Sequence, residues 1–438
     1  MGAQMTRLFC LSLLSAVLFS AACSHDPSPP PAVDYHRDAA AVFERYCTSC
    51  HTEGGIAPFA LTDYESAKRN AAIIKGAVMS GTMPPWMPSD NSMPLRWSRK
   101  MRPQDRDLLL AWIDADTPEG DPAEAMRTDI PPAEVVDPPR PDLVLDAGRT
   151  YQPNTSQSDD YHCFVFDPKL TADTFLQAAT IVPGNKAIVH HVLVYEILAA
   201  DASAIKSLNA SGNGYTCFGG PSGTGTSLSS QGKLTTLFAW VPGSVPARFP
   251  QGLALRMHAG SLFVMQVHYN TLANNAAGDR SVVQLELNST PPFIELRNIP
   301  FANPMTLNIA AGDANAKQVV TAPISLLEQL AGLPTGDLIL FANSPHMHLL
   351  GKRVVSTIAG RTMLEIPRWD FHWQQAYGFV DPVLAHASDQ VQLECDYDNS
   401  QANQPFVNGV RGLPRNVGWG EGTLDEMCLT FLTVAPKK

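Results

Sequence analysis

From residue 142 to the end of the sequence, short runs alternate apolar and polar residues, and the intervals between them hold Gly, Pro, Asn and Asp. Alternation with a period of two is typical of strands that bury one face, and the interval residues favour turns. Examples are the runs at 187–197, 262–269, 282–287 and 338–342. Because one β-sandwich takes only about 100 residues, we expect two all-β sandwich domains, residues 142–290 and 291–438, with the break in the proline-containing stretch 289–303.

Residues 36–120 have a helical pattern instead. Apolar residues there recur at intervals of three and four, as they do on one face of a helix. This pattern predicts a small all-α domain with helices at 39–46, 64–79 and 104–115. Residues 121–141 contain six prolines and several acidic residues, so we expect a linker between the helical and the β-rich parts.

A haem attachment motif lies inside the helical part, where residues 47–51 read Cys47-Thr48-Ser49-Cys50-His51. Two thiols at this spacing can each bond to a vinyl group of haem, and the adjacent histidine then binds the iron. The alternative interpretation is a dithiol redox pair. The order of helix, motif, loop and further helix resembles class I cytochrome c, which implies a cytochrome c domain that carries one haem c.

The second axial ligand of such a haem is expected from a downstream loop. Met79, Met83 and Met87 all lie between residues 79 and 87, and a thioether ligand raises the reduction potential of haem iron. We favour Met83, because Pro84 and Pro85 stiffen the chain directly after it.

The first 23 residues have the pattern of an export signal. Arg7 supplies a positive charge, and an apolar stretch that is short for a membrane span follows at 8–22. Small residues precede Cys23, as in a lipoprotein cleavage box, so we expect a lipid on Cys23 and a polar tether at 24–35. The predicted location is the periplasm or the outer surface of a bacterium, with membrane contact only through that lipid. Ordinary secretion is the alternative.

The cysteine count agrees with export. Cys10 lies in the signal, Cys23 would carry lipid, and Cys47 and Cys50 would hold haem. The remaining four are enough for two disulfides, which persist in an oxidising compartment. They are Cys163, Cys217, Cys395 and Cys428.

The charge of the chain argues against nucleic-acid partners. The formal net charge is −11, and no basic run follows the N-terminal region. A protein that binds nucleic acid usually carries a concentrated positive patch.

Four segments of the β-rich part carry side chains that bind metals. A lone histidine on a strand is usually a core residue, but His346 and His348, two apart on a strand, would point to the same face. His190 and His191 would point to opposite faces of a regular strand, so sharing one metal requires a local twist or different ring nitrogens. The segments are His190-His191, Gln266-Val267-His268-Tyr269, His346-Met347-His348 and Glu426-Met427-Cys428.

The order of these segments resembles the copper type II monooxygenases, the family of peptidylglycine α-hydroxylating monooxygenase and dopamine β-monooxygenase. The resemblance covers roughly residues 141 to 436 and implies two β-sandwich domains that face a solvent-filled cleft. It implies two copper ions. One, for electron transfer, would be bound by His190, His191 and His268. The other, where oxygen is activated, would be bound by His346, His348 and Met427, which are therefore the expected catalytic residues.

The same resemblance implies two disulfides, Cys163–Cys217 and Cys395–Cys428. The second would fix the loop that presents Met427. Zinc is the rival metal, but methionine is a poor zinc ligand, so copper is expected at the site with Met427.

The reaction that the resemblance implies is hydroxylation of a C–H bond by O2, with two electrons from an external donor, either ascorbate or a redox protein. The substrate is not carried over, because Ser344 stands where peptide-amidating members have an arginine, and Leu429 and Phe431 replace polar residues. We expect an apolar organic substrate. A non-catalytic electron-transfer or copper-binding protein on the same scaffold is the alternative.

The fused haem domain suggests an internal supply of electrons. The linker at 121–141, about 20 residues long, would keep haem and copper at a high effective concentration relative to each other. The sequence favours electron entry at the copper bound by His190, His191 and His268. The aromatic run at 369–373 is expected to pack a strand rather than to contact a site.

Overall fold

β-strands make up most of the ordered secondary structure, as the alternating runs predicted. The computed structural model describes residues 33–53, 57–131, 136–156, 159–217, 220–222, 234–241, 244–271, 277–302, 304–371, 373–407, 410–420 and 424–437. The predicted signal, Cys23 and most of the tether lie outside the described residues. Within the described residues, no helix is long and apolar enough to cross a membrane.

The helical part begins with one turn of π-helix, Tyr35–Ala39, capped by the Asp34 carboxylate, which accepts a hydrogen bond from the Arg37 amide at 2.8 Å. Asp63 caps the second α-helix in the same way at 2.8 Å from the Ser66 amide. The α-helices of this part are α1 (Ala40–Tyr46), α2 (Tyr64–Arg69), α3 (Ala71–Met79) and α4 (Pro103–Asp114). The β-rich part contains α5 (Ala202–Leu208) and α6 (Ile324–Leu330).

The helical part has its own apolar core. Phe43 of α1 packs edge to face against Trp112 of α4, with 5.7 Å between the ring centroids, and both rings are buried. Ala67, Ile74 and Val78 join the same cluster. The single helix predicted at 64–79 was wrong, because the chain turns at Asn70 between α2 and α3. The helices therefore pack around an apolar cluster that is separate from the cores of the sandwiches.

The strands of the described residues follow in chain order. They are β1 (Leu143–Asp146), β2 (Asp159–Phe166), β3 (Thr174–Val182), β4 (Val189–Ile197), β5 (Tyr215–Thr216), β6 (Leu234–Trp240), β7 (Ala247–Arg248), β8 (Leu253–Met257), β9 (Leu262–Asn270), β10 (Val282–Asn288), β11 (Ile294–Ala302), β12 (Asn308–Ile309), β13 (Ala316–Pro323), β14 (Leu338–His346), β15 (Gly351–Ile358), β16 (Arg361–Ile366), β17 (Tyr377–Ala385), β18 (Gln390–Tyr397), β19 (Phe406–Val407), β20 (Val410–Arg411), β21 (Val417–Gly418) and β22 (Leu429–Pro436).

Two sandwiches share one long sheet, whose order is β1-β10-β3-β8-β11-β22-β14-β17. In the first sandwich, the half formed by β1, β10, β3 and β8 packs on a five-stranded sheet ordered β5-β2-β9-β4-β6. In the second, the half formed by β11, β22, β14 and β17 packs on a sheet ordered β13-β18-β15-β16. The buried side chains between the layers form one apolar core per sandwich, as expected for sheets packed face to face.

Strand β11 joins the two sandwiches. Its first residues, Ile294–Leu296, run parallel to β8, and its later residues, Arg297–Ala302, run antiparallel to β22. The domain boundary predicted after residue 290 stays a prediction. It lies just before β11, which begins at Ile294.

Both expected disulfides are present. Cys163 of β2 is bonded to Cys217, which directly follows β5, and Cys395 of β18 is bonded to Cys428, which directly precedes β22. The second bond therefore ties the strand start beside Met427 to the opposite sheet of the second sandwich.

Removal of the Cys395–Cys428 bond is expected to destabilise the protein. The two residues are 33 positions apart, and closing a loop of this length is worth about 3–4 kcal/mol in the chain-entropy model. The double variant Cys395→Ala with Cys428→Ala should lower the free energy of unfolding by that amount in chemical denaturation of the metal-free protein. The corresponding Cys163/Cys217 variant is the reference. A decrease in the free energy of unfolding below about 1 kcal/mol in the Cys395/Cys428 variant would contradict the role assigned to that bond.

Candidate metal centres

A β-bulge brings the adjacent histidines of β4 to one cluster. In the pairing of β4 with β9, Val189 lies opposite Tyr269, but His191 lies opposite His268, so the register shifts between Val189 and His191. A bulge inserts one residue and re-aims its side chain. His190 and His191 can therefore face the same partner, which a regular strand would not allow.

The three rings present the same ring nitrogen to one another. The Nδ1 atoms of His190 and His191 are 3.2 Å apart, those of His190 and His268 are 3.2 Å apart, and those of His268 and His191 are 3.3 Å apart. Two nitrogen ligands of a tetrahedral ion lie about 3.3 Å from each other. The triangle of nitrogens therefore fits a single bound metal ion.

Neighbouring groups orient these rings. The Nε2 of His268 donates to the Asp159 carboxylate at 2.7 Å, which leaves Nδ1 as the electron-pair donor. Tyr161 lies opposite His268 in the register of β2 and β9, and its ring stacks on the imidazole with 4.1 Å between centroids. Desolvation, followed by the nearby His268 and His190 rings, lowers the pKa of His191 well below its ordinary value. A neutral imidazole is the form that binds metals.

A second pair of histidines lies at the end of β14. The Nε2 atoms of His346 and His348 are 3.1 Å apart. The Nδ1 of His346 donates to the Gln374 side-chain oxygen at 2.5 Å, and the Nδ1 of His348 donates to the Asp425 carbonyl oxygen at 3.0 Å. Both rings therefore present Nε2 to each other. The two rings come together as predicted, although β14 ends at His346 and His348 lies beyond it. Burial lowers the pKa of His346, although its hydrogen bond with Gln374 opposes this.

The backbone segment that carries Met427 lies beside this pair, since the amides of His348 and Met427 both donate to the Glu426 carboxylate. His346 lies opposite Leu429 in the register of β14 and β22, so the residues that continue the two strands bring His348 and Met427 together. The Glu426 carboxylate accepts hydrogen bonds from the amides of His348 and Leu350 at 2.8 and 2.6 Å. Desolvation raises the pKa of this buried carboxyl to about 8. The Met427 side chain is 7% exposed, and the Tyr397 hydroxyl donates to the Met427 carbonyl at 2.9 Å.

One aromatic loop contacts both histidine clusters. The Phe371 ring stacks on His190 at 5.3 Å between centroids and meets His348 edge to face at 5.9 Å. The Trp369 ring nitrogen donates to the His348 carbonyl at 3.2 Å. Trp369 is buried in the core of the second sandwich and its amide donates to the carbonyl of Lys352 of β15 at 2.9 Å, so this part of the run packs a strand as expected. The contact of Phe371 with a candidate site was not expected. His372 lies outside the described residues.

The thiols of the Cys47–His51 motif lie on the turn that follows α1, and neither is in a disulfide. Burial raises the pKa of Cys47 to about 12. The Nδ1 of His51 lies 3.0 Å from the Phe59 carbonyl oxygen, and donation to that oxygen leaves Nε2 as the electron-pair donor. An axial histidine needs this tautomer.

The structure places the three candidate methionines differently. Met79 ends α3 and is 65% exposed, Met83 is partly exposed, and Met87 packs against the core of the second sandwich. Packing of Met87 on another domain favours one of the other two as haem ligand. Met83 stays a prediction.

Sequence patterns missed four residues that orient the clusters: Asp159, Phe371, Gln374 and the carboxylate of Glu426. Glu426 was noticed only as a neighbour of Met427. Asp159 could have been found from the pairing of β2 with β9, where the first residue of one strand lies near the histidine of the other. Phe371 and Gln374 lie on a loop, and no periodic pattern indicates where a loop will pack.

Replacement of Asp159 by asparagine is expected to weaken metal binding at the first cluster. Without the carboxylate, His268 loses the partner that fixes its tautomer, and losses of this kind reduce metal affinity by about 10- to 100-fold. Competition titration with a copper chelator measures the change. Asp337→Asn is the matched control, because Asp337 accepts from the Nδ1 of an exposed histidine, His386, at 3.0 Å. Equal affinities in both variants would contradict the assignment.

Comparison with known proteins gives a family for the second sandwich. Residues 315–437 match the model described as copper type II ascorbate-dependent monooxygenase, C-terminal domain. The matched segment contains His346, His348 and Met427.

Several known proteins are similar over a longer part of the chain. Dopamine beta-hydroxylase of Equus caballus is 25% identical over 267 residues, which cover 59% of this chain and 40% of that protein. DBH-like monooxygenase protein 2 of Mus musculus is 24% identical over 315 residues, which cover 66% of this chain and 43% of that protein. Dopamine beta-hydroxylase of Homo sapiens is 24% identical over 321 residues, with coverages of 68% and 48%. The matched part thus spans less than half the length of these relatives. The chain is thus similar to copper type II ascorbate-dependent monooxygenases, and the family model matches its second sandwich.

Proposed function

We propose that this protein is a copper monooxygenase that hydroxylates a C–H bond of an apolar organic substrate with O2. The observation that carries the proposal is the presence of two histidine clusters, one on each sandwich, in which ring nitrogens converge. The Phe371 ring contacts a histidine of each cluster, so the two clusters lie close enough to act on one reaction.

His190, His191 and His268 would hold one copper ion, and His346, His348 and Met427 would hold the other. Imidazole binds both Cu(I) and Cu(II), whereas a thioether favours Cu(I), so the donor sets fit an electron-storing site and an oxygen-reactive site respectively. Copper at these sites would supply the one-electron redox steps and the activation of O2 that insertion of one oxygen atom requires.

The chain's own residues orient the donors and exclude water. Asp159 and Gln374 accept hydrogen bonds from the non-ligating nitrogens of His268 and His346, so each ring is held in one tautomer. The buried Glu426 carboxylate binds the backbone of His348 and thereby fixes the start of the segment that presents Met427. The Phe371 ring is 8% exposed and fills space between the clusters with an apolar group.

The wall beside the second cluster favours an apolar substrate. Ser344 and Phe431 lie opposite each other in the register of β14 and β22, and Leu429 lies opposite His346. None of these three side chains is a cation. Binding of a substrate carboxylate here would require a positively charged group such as a guanidinium. A peptide carboxylate is therefore not the expected substrate.

We propose further that a haem c bonded to Cys47 and Cys50, with His51 and Met83 as axial ligands, relays electrons from an external donor, either ascorbate or a redox protein. The hydrogen bond of the His51 Nδ1 with the Phe59 carbonyl supports this, because it leaves Nε2 as the donor to iron. Export and a lipid on Cys23 belong to the same proposal, since haem attachment of this kind takes place outside the cytoplasm.

The Met427→Ala variant tests the monooxygenase. Loss of the thioether should abolish ascorbate-driven O2 uptake by the copper-loaded protein, with a fall in rate of at least about 100-fold, or ~2.7 kcal/mol. Met305→Ala is the control, because Met305 is 90% exposed. Activity equal to wild type in Met427→Ala would favour the non-catalytic alternative.

The haem proposal is tested by stoichiometry and spectrum. The purified chain should carry one covalently bound haem, and the Cys47→Ala, Cys50→Ala variant should carry none. Met83→Ala should remove the absorption band of a methionine–iron bond, whereas Met79→Ala should keep it. A haem-free wild-type protein produced with the haem-attachment machinery would exclude the proposal.

A further inference from the structure

Residues 80–97, which connect α3 to α4, lie along the second sandwich. The Ser89 and Met93 amides donate to the carbonyls of Glu365 and Met363 at 2.8 and 3.1 Å. Leu95 forms a β-bridge with Phe379. The loop thus extends the edges of the second sandwich instead of projecting from the helical part.

Side chains of the loop and of the second sandwich add further hydrogen bonds between the two. The Glu365 carboxylate accepts from the Ser89 hydroxyl at 2.7 Å and from the Asn91 amide at 2.6 Å. The Arg96 guanidinium donates to the carbonyls of Phe379 and Val380 at 2.9 and 3.0 Å. Among the described residues, the hydrogen bonds that we find between this loop and the β-rich part all reach residues 363–380 of the second sandwich.

An aromatic contact links the docked loop to β17 of the second sandwich. Trp86 lies three residues after Met83 and meets the Tyr377 ring edge to face, with 5.7 Å between centroids. Tyr377 is 2% exposed and begins β17. Gln374, which binds His346 through its side-chain oxygen, lines the same small cavity as Tyr377 and Met87.

We propose that Trp86 and Tyr377 form the route by which electrons leave the haem motif, and that the first acceptor is the copper bound by His346 and His348. The proposal rests on the proposed function, since it requires haem at Cys47–His51 and copper at the histidines. In each transfer a ferrous haem becomes ferric and one Cu(II) becomes Cu(I), with no bond formed or broken. The entry point differs from the one that the sequence favoured, the cluster of His190, His191 and His268.

The choice of acceptor follows from the contacts. Electron transfer through protein is fastest where covalent bonds and packed side chains replace gaps, because coupling through space decays steeply. The loop that carries Met83 is fixed to the second sandwich by its own backbone, and its aromatic contact leads toward Gln374 and His346. The Phe371 ring contacts both His348 and His190, so a second electron could pass through it from the second cluster to the first.

The test is stopped-flow oxidation of ferrous haem in the full-length, Cu(II)-loaded protein, followed by haem absorbance and by the electron paramagnetic resonance of the remaining Cu(II). Trp86→Leu should slow haem oxidation by at least about ten-fold, and Trp86→Phe, which keeps a ring against Tyr377, should retain most of the rate. Trp240→Leu is the matched control, because Trp240 packs in the first sandwich opposite Val192 of β4. It should leave the rate unchanged.

Two site variants identify the acceptor. The fast phase should disappear in His346→Ala with His348→Ala and persist in His190→Ala with His191→Ala. The reverse result, or a wild-type rate in Trp86→Leu with haem and copper still bound, overturns the route but leaves the monooxygenase intact. A wild-type protein whose haem is not oxidised by its copper overturns both the route and the proposed haem supply.

Discussion

The arrangement of both candidate sites depends on one strand that belongs to two sandwiches. β11 pairs with β8 over its first residues and with β22 over its later ones, so a single hydrogen-bonded sheet runs from one sandwich to the other. β22 in turn pairs with β14, which ends at His346. Because backbone hydrogen bonds rather than a flexible linker connect the halves, their relative orientation is set by strand register. This is why Phe371 can contact His190 and His348 at once.

Local backbone geometry decides which ring nitrogen each histidine offers. In the first cluster Asp159 binds Nε2 of His268 and the rings meet through Nδ1, whereas in the second cluster Gln374 and the Asp425 carbonyl bind Nδ1 and the rings meet through Nε2. In the cluster of His190, His191 and His268, the bulge at His190 brings together the three Nδ1 atoms, which are the ring nitrogens nearer the backbone. His346 and His348 instead approach each other through Nε2, the ring nitrogen farther from the backbone. The two sites thus differ in construction as well as in donor type.

Much of this could be predicted from the sequence, because periodicity reports local geometry. The alternating runs predicted strands, and the spacing of His346 and His348 placed both rings on one face. Ala67 and Ile74 are both buried in the helical core, although they belong to two helices and not to the one that the spacing predicted. A bulge and the packing of loops depend on tertiary contacts instead. The convergence of His190 with His191 and the position of Phe371 could therefore not be derived from a pattern.

The position of Phe371 has a consequence for ligand binding. Burial of a phenylalanine side chain stabilises a protein by about 1.5–3 kcal/mol relative to its exposure. A molecule that occupies the space between the clusters must displace this ring, so its affinity is reduced by roughly 10- to 150-fold unless it replaces the lost apolar contacts. Polar molecules of similar size cannot replace them. In the proposed monooxygenase, the ring of Phe371 would therefore favour hydrophobic ligands over polar ligands of similar size.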